Sequence, residues 1–287
     1  MATRRGQEDE VVVTLDGGVL APGVPVVGAG DPLFTRGDGV FETLLLRGGR
    51  PSLLEAHLAR LVTSAAVVGL AAPDPAPWRA AVATAVTRWG AADEAVLRMV
   101  YGRRGDGAPV GFVTVSPVPA RVAAARHDGV SAITLDRGLP SAGTAAPWSV
   151  AGAKSVSYAA NVAALRHAAG LGADDAVFLS SDGYVLEGPR STVVIYADGT
   201  LVTPPMSLPI LPGTTVQALF GVARERGLEC EQVALRKADL IAAQGVWLLS
   251  SVTLAARVHT LDGVSLRAAP MAAELAALVD AAVAREE

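Results

Sequence analysis

The pattern of hydrophobic and polar residues over the first 116 positions predicts four strands and two helices. The strands are apolar runs rich in β-branched residues and bounded by Gly, Pro or Asp. They cover residues 11–15, 40–47, 95–101 and 111–116. Ser52 and Glu55 form a predicted capping box that opens the first helix, and the second helix follows the proline-rich residues 73–77. This pattern predicts a smaller N-terminal α/β domain over residues 1–116.

A second series of elements begins after residues 117–128, which we interpret as an interdomain linker because they contain prolines and arginines. Residues 129–287 then form the predicted larger C-terminal domain. Asp182-Gly183 and Asp198-Gly199 are typical of tight hairpin turns. The remaining predicted elements are strands at 130–135, 175–181, 184–187, 191–196 and 246–251, and helices at 155–169, 214–226 and 271–284. The chain is therefore expected to be a two-domain protein of the α+β or α/β class.

Composition and charge exclude several classes of protein. The chain is 51% hydrophobic and 18% charged, which excludes disorder as its main state. Its net charge of −4 gives no broad positive field, so neither nucleic acid nor a membrane surface is an expected partner. The single cysteine, Cys230, cannot form an internal disulfide and favours the cytoplasm. The four histidines lack metal-ligand spacing, so no metal is expected.

Lysine is rare in this chain, since Lys154 and Lys237 are the only lysines among 24 basic side chains. Arginine is always protonated, whereas a lysine with a lowered pKa supplies a neutral amine nucleophile. Lys154 follows a Gly/Pro/Ala-rich loop at 138–152 and precedes a predicted helix, which favours a position at the edge of a cleft. Lys237 lies in a charged surface pattern. A solvated surface lysine is the alternative at both positions, but Lys154 is the better candidate for a Schiff base.

A Schiff-base lysine normally serves pyridoxal phosphate, which needs a carboxylate at its ring nitrogen and donors for its phosphate. Glu187 lies between two apolar strands, where an unpaired carboxylate is costly, although a solvated hairpin end is the alternative. Thr214 and Thr215 open a predicted helix, whose N-terminus favours anions, although threonine there is also a common N-cap. Ser250 and Ser251 end a strand and offer a second set of donors.

Arg60 is the candidate cation for the phosphate. It lies beside His57 on what the pattern predicts to be the polar side of the first helix, where a solvent-facing arginine is the alternative. Competing motifs are weaker. The glycines at 28, 30 and 102–107 lack the strand and acidic residue of a dinucleotide fingerprint, and no Gly-x-Ser-x-Gly elbow occurs.

Five blocks, in order along nearly the whole chain, resemble the fold type IV pyridoxal-phosphate enzymes. This family includes branched-chain and D-amino-acid aminotransferases and 4-amino-4-deoxychorismate lyase. The blocks are residues 37–42, residues 55–61, Lys154 before a helix, residues 186–191, and residues 211–215 with Ser250 and Ser251. The resemblance implies a D-amino-acid aminotransferase-like fold with the cofactor between the two domains. It also implies a homodimer whose partner completes the pocket.

Carried over residue by residue, the resemblance implies that Lys154 is the Schiff-base lysine and that Glu187 pairs with the pyridine nitrogen. The other implied cofactor contacts are Arg60, Tyr158, Ser191, Thr192, Thr214, Thr215, Ser250 and Ser251. The chain departs from the family in three places. Thr192 stands where asparagine is common, Val216 stands where arginine is common, and Tyr158 is shifted by one residue from the usual tyrosine.

The resemblance further implies an enzyme that acts on a small-molecule amine or amino acid. Residues 185–195, 210–220 and 250–263 most resemble 4-amino-4-deoxychorismate lyases, which release 4-aminobenzoate, a folate precursor, and pyruvate. A branched-chain or D-amino-acid type aminotransferase is the alternative, and a non-catalytic pyridoxal-phosphate-binding protein is a third hypothesis. Phe41, Arg98 and Arg103 are the expected substrate contacts, although a surface arginine is the alternative at positions 98 and 103. Phe41 stands where D-amino-acid aminotransferases tend to carry tyrosine.

Overall fold

The computed structural model describes residues 10–21, 23–90, 94–141 and 148–285, so part of the predicted loop at 138–152 lies outside the described residues. Contacts divide these residues into two compact units. One unit holds the described residues up to 119 together with Ala153–Tyr158, and the other holds those of Ala120–Gly152 and Ala159–Arg285. Sequence analysis assigned residues 153–158 to the predicted C-terminal domain, but these residues make their contacts in the first unit. Part of the predicted linker is helical.

The first unit contains a six-stranded antiparallel sheet. Its strands are β1 (Val11–Thr14), β2 (Val19–Leu20), β3 (Gly39–Arg47), β4 (Arg50–Pro51), β5 (Ala95–Arg103) and β6 (Pro109–Pro117), in the spatial order β2-β1-β6-β5-β3-β4. Its helices are α1 (Pro32–Thr35), α2 (Leu54–Val67) and α3 (Pro75–Trp89). The core includes Leu44, Leu58 and Trp78, because α2 packs on β3 and α3 packs on β1 and β6. The predicted strands and helices of this region are confirmed.

The start of α2 differs from the predicted capping box. Leu53 is the N-cap residue, in a left-handed conformation with φ of 55°, and no side chain caps the helix. The backbone N–H of Ser52 donates to the carbonyl of Leu45, and Glu55 forms an ion pair with Arg79 at 2.6 Å. The capping box was therefore wrong, because Leu53 and not Ser52 occupies the N-cap position.

The second unit contains an eight-stranded mixed sheet. Its strands are β7 (Val130–Asp136), β8 (Asp175–Leu179), β9 (Thr192–Ala197), β10 (Thr200–Thr203), β11 (Glu229–Gln232), β12 (Gly245–Ser250), β13 (Leu254–Leu261) and β14 (Val264–Ser265). The spatial order is β11-β10-β9-β12-β13-β7-β8, and β14 pairs with β13. Its helices are α4 (Ala120–His127), α5 (Ala159–Gly170), α6 (Thr214–Glu225), α7 (Lys237–Ala242) and α8 (Ala272–Val283).

In the second unit the two predicted tight turns are confirmed, whereas the predicted strand at 184–187 is not formed. Asp198 and Gly199 both have positive φ, 48° and 89°, and they join antiparallel β9 and β10. Gly183 has a φ of 85° at the other tight turn. The predicted strand at 184–187 forms only isolated bridges, because Tyr184 and Val185 pair with different segments. Within the described ranges, no helix is both long and apolar enough to span a bilayer.

Candidate active site

Lys154 lies in an extended segment that pairs with the N-terminal end of β3. The N–H of Phe41 donates to the carbonyl of Lys154 at 2.9 Å, and the N–H of Val156 donates to the carbonyl of Gly39 at 3.0 Å. The N–H of Lys154 donates to Ser64 Oγ at 3.1 Å, and Ser64 is buried on α2. Sequence analysis expected a helix from residue 155, but α5 begins at Ala159 because this pairing keeps the segment extended.

The glycines before β3 allow the Lys154 segment to approach closely. Gly37 has a φ of 64°, and a Cβ at this position would lie 2.5 Å from Ser157 Oγ and 3.0 Å from Ser157 Cα. Ser157 Oγ in turn donates to the carbonyl of Gly37 at 3.0 Å. Glycine at position 37 therefore allows both the left-handed backbone conformation and the close contact with the segment that carries Lys154.

The variant Gly37→Ala tests this close approach. An alanine in the left-handed region costs about 1–2 kcal/mol, and its Cβ would also have to displace Ser157. Gly48→Ala is the matched control, because Gly48 has a φ of 57° and a Cβ there meets nothing within 4 Å. In urea denaturation we expect G37A to lower the free energy of unfolding by clearly more than G48A. Equal losses would contradict the steric role of Gly37.

The Lys154 amine lies over the ring of Phe41, which packs against Tyr158. Nζ lies 4.6 Å from the centroid of the Phe41 ring, and the rings of Phe41 and Tyr158 meet edge to face with centroids 5.6 Å apart. A cation over an aromatic face is stabilised electrostatically. The structure thus brings together three residues that the sequence singled out for different roles: the Schiff-base lysine, a cofactor contact and a substrate contact.

Arg60 belongs to a buried polar network beneath α2. Its Nε and Nη2 donate to the two carboxylate oxygens of Glu42 at 2.8 and 2.7 Å, and His57 Nδ1 lies 2.6 Å from Glu42 Oε2. Glu42 and His57 are fully buried, and Arg60 is 9% exposed. The expectation that Arg60 and His57 occupy the polar side of the helix was wrong, because both side chains turn inward to the carboxylate.

The two arginines expected to bind substrate have different surroundings. Arg103 Nε donates to Asp38 at 3.0 Å, and its Nη2 donates to the carbonyl of Gly69 at 2.7 Å, so it ties β5 to the end of α2. Arg98 is exposed and pairs with Thr43 across β3 and β5, two positions from Phe41, so it shares a sheet face with Phe41. Substrate binding by either arginine stays a prediction.

In the second unit, Glu187 is a paired and largely buried carboxylate. Arg137 Nη1 donates to Glu187 Oε1 at 2.7 Å, and the N–H of Leu211 donates to Oε2 at 3.0 Å. The Glu187 side chain is 13% exposed. Arg137 also lies over the ring of Phe178, 4.9 Å from its centroid. The alternative of a solvated hairpin end is therefore wrong.

The N-terminus of α6 has the chemistry of a phosphate site. Gly213 is the N-cap residue without a side-chain cap, and Thr214 and Thr215 are buried. Thr215 Oγ1 is buried and has no hydrogen-bond partner among the described residues, which is rare for a buried polar atom. A Cβ on Gly213 would collide with Thr192 Oγ1, so only glycine allows these backbones to approach. The N-cap alternative is wrong for both threonines, and an orphaned hydroxyl at a helix N-terminus fits a phosphate oxygen.

The serines of the predicted set occupy a neighbouring part of the second unit. Ser191 and Ser250 line one cavity together with Arg190 and Asp175. Ser191 Oγ is buried and unpartnered within the described part of the chain, whereas Ser250 Oγ accepts from the N–H of Thr253 at 3.3 Å. Glu187, Thr214 and Thr215 are not among the residues that line this cavity. Ser251 follows β12 in a turn and is half-buried.

Sequence reasoning missed three residues that contact the candidates: Glu42, Ser64 and Arg137. Glu42 had a detectable signal, since it falls on the alternate positions of β3 occupied by Val40, Leu44 and Leu46. A carboxylate in that series predicts a buried and paired acid.

Comparison with known proteins supplies the decisive observation. A family model described as amino-transferase class IV matches residues 39–261. The chain belongs to this family. Pyridoxal phosphate is the cofactor of class IV aminotransferases, and the matched range contains every cofactor contact implied by the sequence. The predicted fold type IV architecture is confirmed.

Three relatives of this class IV chain are informative. The bifunctional aminodeoxychorismate lyase / D-amino acid transaminase of Mycobacterium tuberculosis is 59% identical over 95% of this chain and 99% of its own. A hypothetical aminotransferase from M. tuberculosis in its PLP-bound form is 59% identical, with a TM-score of 0.93 over 96% of this chain and 99% of its own. The fold IV transaminase of Curtobacterium pusillum is 39% identical, with a TM-score of 0.89 over 95% and 98%.

Proposed function

We propose that the protein is a pyridoxal-phosphate-dependent 4-amino-4-deoxychorismate lyase that releases 4-aminobenzoate and pyruvate. The observation that carries this proposal is the 59% identity, over nearly the full length of both chains, to a relative named for that activity. The same relative is named as a D-amino acid transaminase, so D-amino acid transamination is the second candidate activity.

The first unit supplies the base in this proposal. Lys154 is the Schiff-base lysine, and its Nζ accepts the proton from the substrate carbon that carries the amino group. Two backbone hydrogen bonds to β3 and one to Ser64 orient the lysine. The Phe41 face stabilises the amine while it holds the proton, because the ring quadrupole attracts the ammonium charge.

The second unit supplies the electronic and phosphate contacts. When bound, the cofactor supplies an electron sink for the pair left on the substrate carbon. Arg137 and the N–H of Leu211 stabilise Glu187 as a carboxylate, the form that pairs with a protonated pyridine nitrogen. Thr215 Oγ1 and the first N–H groups of α6 would hold the phosphate.

The proposal includes a cytoplasmic homodimer. The family resemblance supports the dimer, and the single cysteine supports a reducing compartment. Substrates are small amino compounds, as in the rest of the family.

Product analysis tests the proposed function. The purified protein, loaded with pyridoxal phosphate, is incubated with 4-amino-4-deoxychorismate alone, and 4-aminobenzoate and pyruvate are quantified. A parallel reaction contains D-alanine or a branched-chain L-amino acid with 2-oxoglutarate. We expect 4-aminobenzoate and pyruvate in equal amounts. Amino transfer without cleavage of aminodeoxychorismate would show that the protein is an aminotransferase and not a lyase. Absence of both reactions would favour a non-catalytic binding protein.

A further inference from the structure

Hydrogen bonds to the first unit hold the backbone on both sides of the Lys154 Cα. The N–H of Lys154 donates to Ser64 Oγ at 3.1 Å, and the carbonyl of Lys154 accepts from the N–H of Phe41 at 2.9 Å. Because peptide units are planar, these two bonds hold the two peptide planes that meet at this Cα. They therefore restrain φ and ψ of Lys154, and with them the direction of its Cα–Cβ bond.

The bond to Ser64 involves an N–H that a regular β-ladder would direct elsewhere. Val40 and Ser155 form an antiparallel bridge, so Phe41 and Lys154 are cross-strand neighbours. In a regular antiparallel ladder these two neighbours would exchange two backbone bonds, one from the N–H of Phe41 and one from the N–H of Lys154. The first of these bonds is present, and the N–H of Lys154 donates to the side chain of Ser64 on α2. A hydroxyl from the helix thus supplies an acceptor for the backbone of the lysine.

The side chain of Lys154 leaves this pair on the face away from α2. Val40 and Leu44 belong to the core that includes residues of α2, and Phe41 alternates with them along β3. Cross-strand neighbours lie on the same face of a sheet, and Lys154 Nζ is accordingly 4.6 Å from the centroid of the Phe41 ring. Ser64 lies on the buried side, with 1% of its surface exposed. Its contact with Lys154 is therefore to the backbone, on the side away from the amine.

From these contacts we infer that Ser64 is a positioning residue, whose hydroxyl holds the peptide plane before Lys154 and so directs the lysine amine toward the reacting atoms. This inference rests on the proposed function. Ser64 touches neither the cofactor nor the substrate in this account, and it acts through the backbone of Lys154. A helix that packs on a sheet needs only an apolar side chain at a buried position, so the hydroxyl of residue 64, and not its volume, carries this role.

The variants that test this role separate the hydroxyl of residue 64 from its volume. Ser64→Thr and Ser64→Val add side chains of nearly the same shape, but only threonine keeps the hydroxyl. Ser64→Ala removes the hydroxyl without adding volume. Thr63→Ala is the matched control, because Thr63 is the preceding residue of α2, is exposed, and donates to the carbonyl of Ala59 within the same helix at 3.1 Å.

Two measurements are made on the wild type and on each variant. Hydrogen exchange of the apoenzyme, followed by mass spectrometry, reports the protection of the peptide that contains Lys154. Steady-state kinetics with 4-amino-4-deoxychorismate, and with D-alanine and 2-oxoglutarate, give kcat and KM. Active sites are counted from the absorbance of the protein-bound imine, so a loss of folded or loaded protein does not lower kcat.

We expect S64A and S64V to exchange faster around residue 154 and to lose kcat by about tenfold to 10²-fold. Misplacement of a reacting group by about 1 Å has effects of this size. KM should stay within about threefold, because Ser64 does not contact the substrate. S64T and T63A should keep the exchange of the wild type, and their kcat should stay within about threefold.

A serine that only stabilises the fold would lower the Tm of S64A and S64V without lowering kcat per imine-bearing site. That result, or equal kcat values for S64T and S64V, would overturn the inference. If S64V does not fold, the comparison of S64A with the wild type decides the same question, since alanine fits where serine does. A wild type that forms no imine with pyridoxal phosphate would instead refute the proposed function.

Discussion

Lys154→Ala is expected to abolish lyase and aminotransferase turnover, with kcat reduced by at least about 10³-fold. The variant removes both the covalent attachment of the cofactor and the base that takes the substrate proton, and general base catalysis alone contributes about 10²–10⁴-fold. The wild type with pyridoxal phosphate should be yellow, and K154A should lose the absorbance band of the protein-bound imine. Steady-state kinetics and absorbance spectra measure the two effects.

The matched control is the other lysine of the chain. Lys237 forms an ion pair with Asp262 at 2.6 Å and is 41% exposed, so its amine has a structural partner at the surface. We expect Lys237→Ala to retain the yellow colour and the wild-type kcat within about threefold, in line with the small contribution of exposed ion pairs. A K237A variant that loses the yellow colour, together with a K154A variant that keeps it, would show that Lys237 and not Lys154 binds the cofactor.

Glu187→Gln is expected to impair turnover far more than cofactor retention. The glutamine keeps the shape but cannot hold the pyridine nitrogen protonated, so the ring accepts electrons poorly. We expect kcat to fall by about 10²-fold or more, as for the loss of one electrostatic contact in other active sites. The dissociation constant of pyridoxal phosphate should change only a few-fold, because the phosphate contacts remain. Equal losses in both quantities would count against an electronic role.

A control variant separates this role from damage to the fold. The Glu187→Gln substitution would leave the charge of Arg137 partly unpaired, which destabilises a buried site. Asp262→Asn breaks another ion pair of the second unit, with Lys237, in which Asp262 is 23% exposed and the two charged atoms are 2.6 Å apart. Thermal denaturation should show losses of stability in both variants, whereas only E187Q should lose turnover by orders of magnitude.

Much of the fold follows from local sequence signals, and the exceptions are contacts between distant segments. The Asp-Gly pairs at 182–183 and 198–199 specify tight turns by their own backbone preferences, and the structure confirms them. The residues after Lys154 read as a helix from 155, yet pairing with β3 keeps them extended. The start of α2 is likewise set by Leu53 in a left-handed conformation, which no residue preference predicts.

The candidate site was predictable where a residue type is unusual for its position. Lys154 stood out because lysine is rare in this chain, and Glu187 because a lone acid followed an apolar run. Their partners were not predictable, since Arg137 lies 50 residues from Glu187 and Ser64 lies 90 residues from Lys154 along the chain. Those contacts arise only when the chain has folded.

The central claim is that the Lys154 amine carries the cofactor, and reduction of the holoenzyme tests it directly. Borohydride converts the imine to a stable pyridoxyl-lysine, and peptide mass mapping then locates the modified residue. With Lys154 and Lys237 as the only lysines, the result is unambiguous. We predict the pyridoxyl group on the peptide that contains Lys154. Modification of the Lys237 peptide instead, or of neither peptide, would contradict the account.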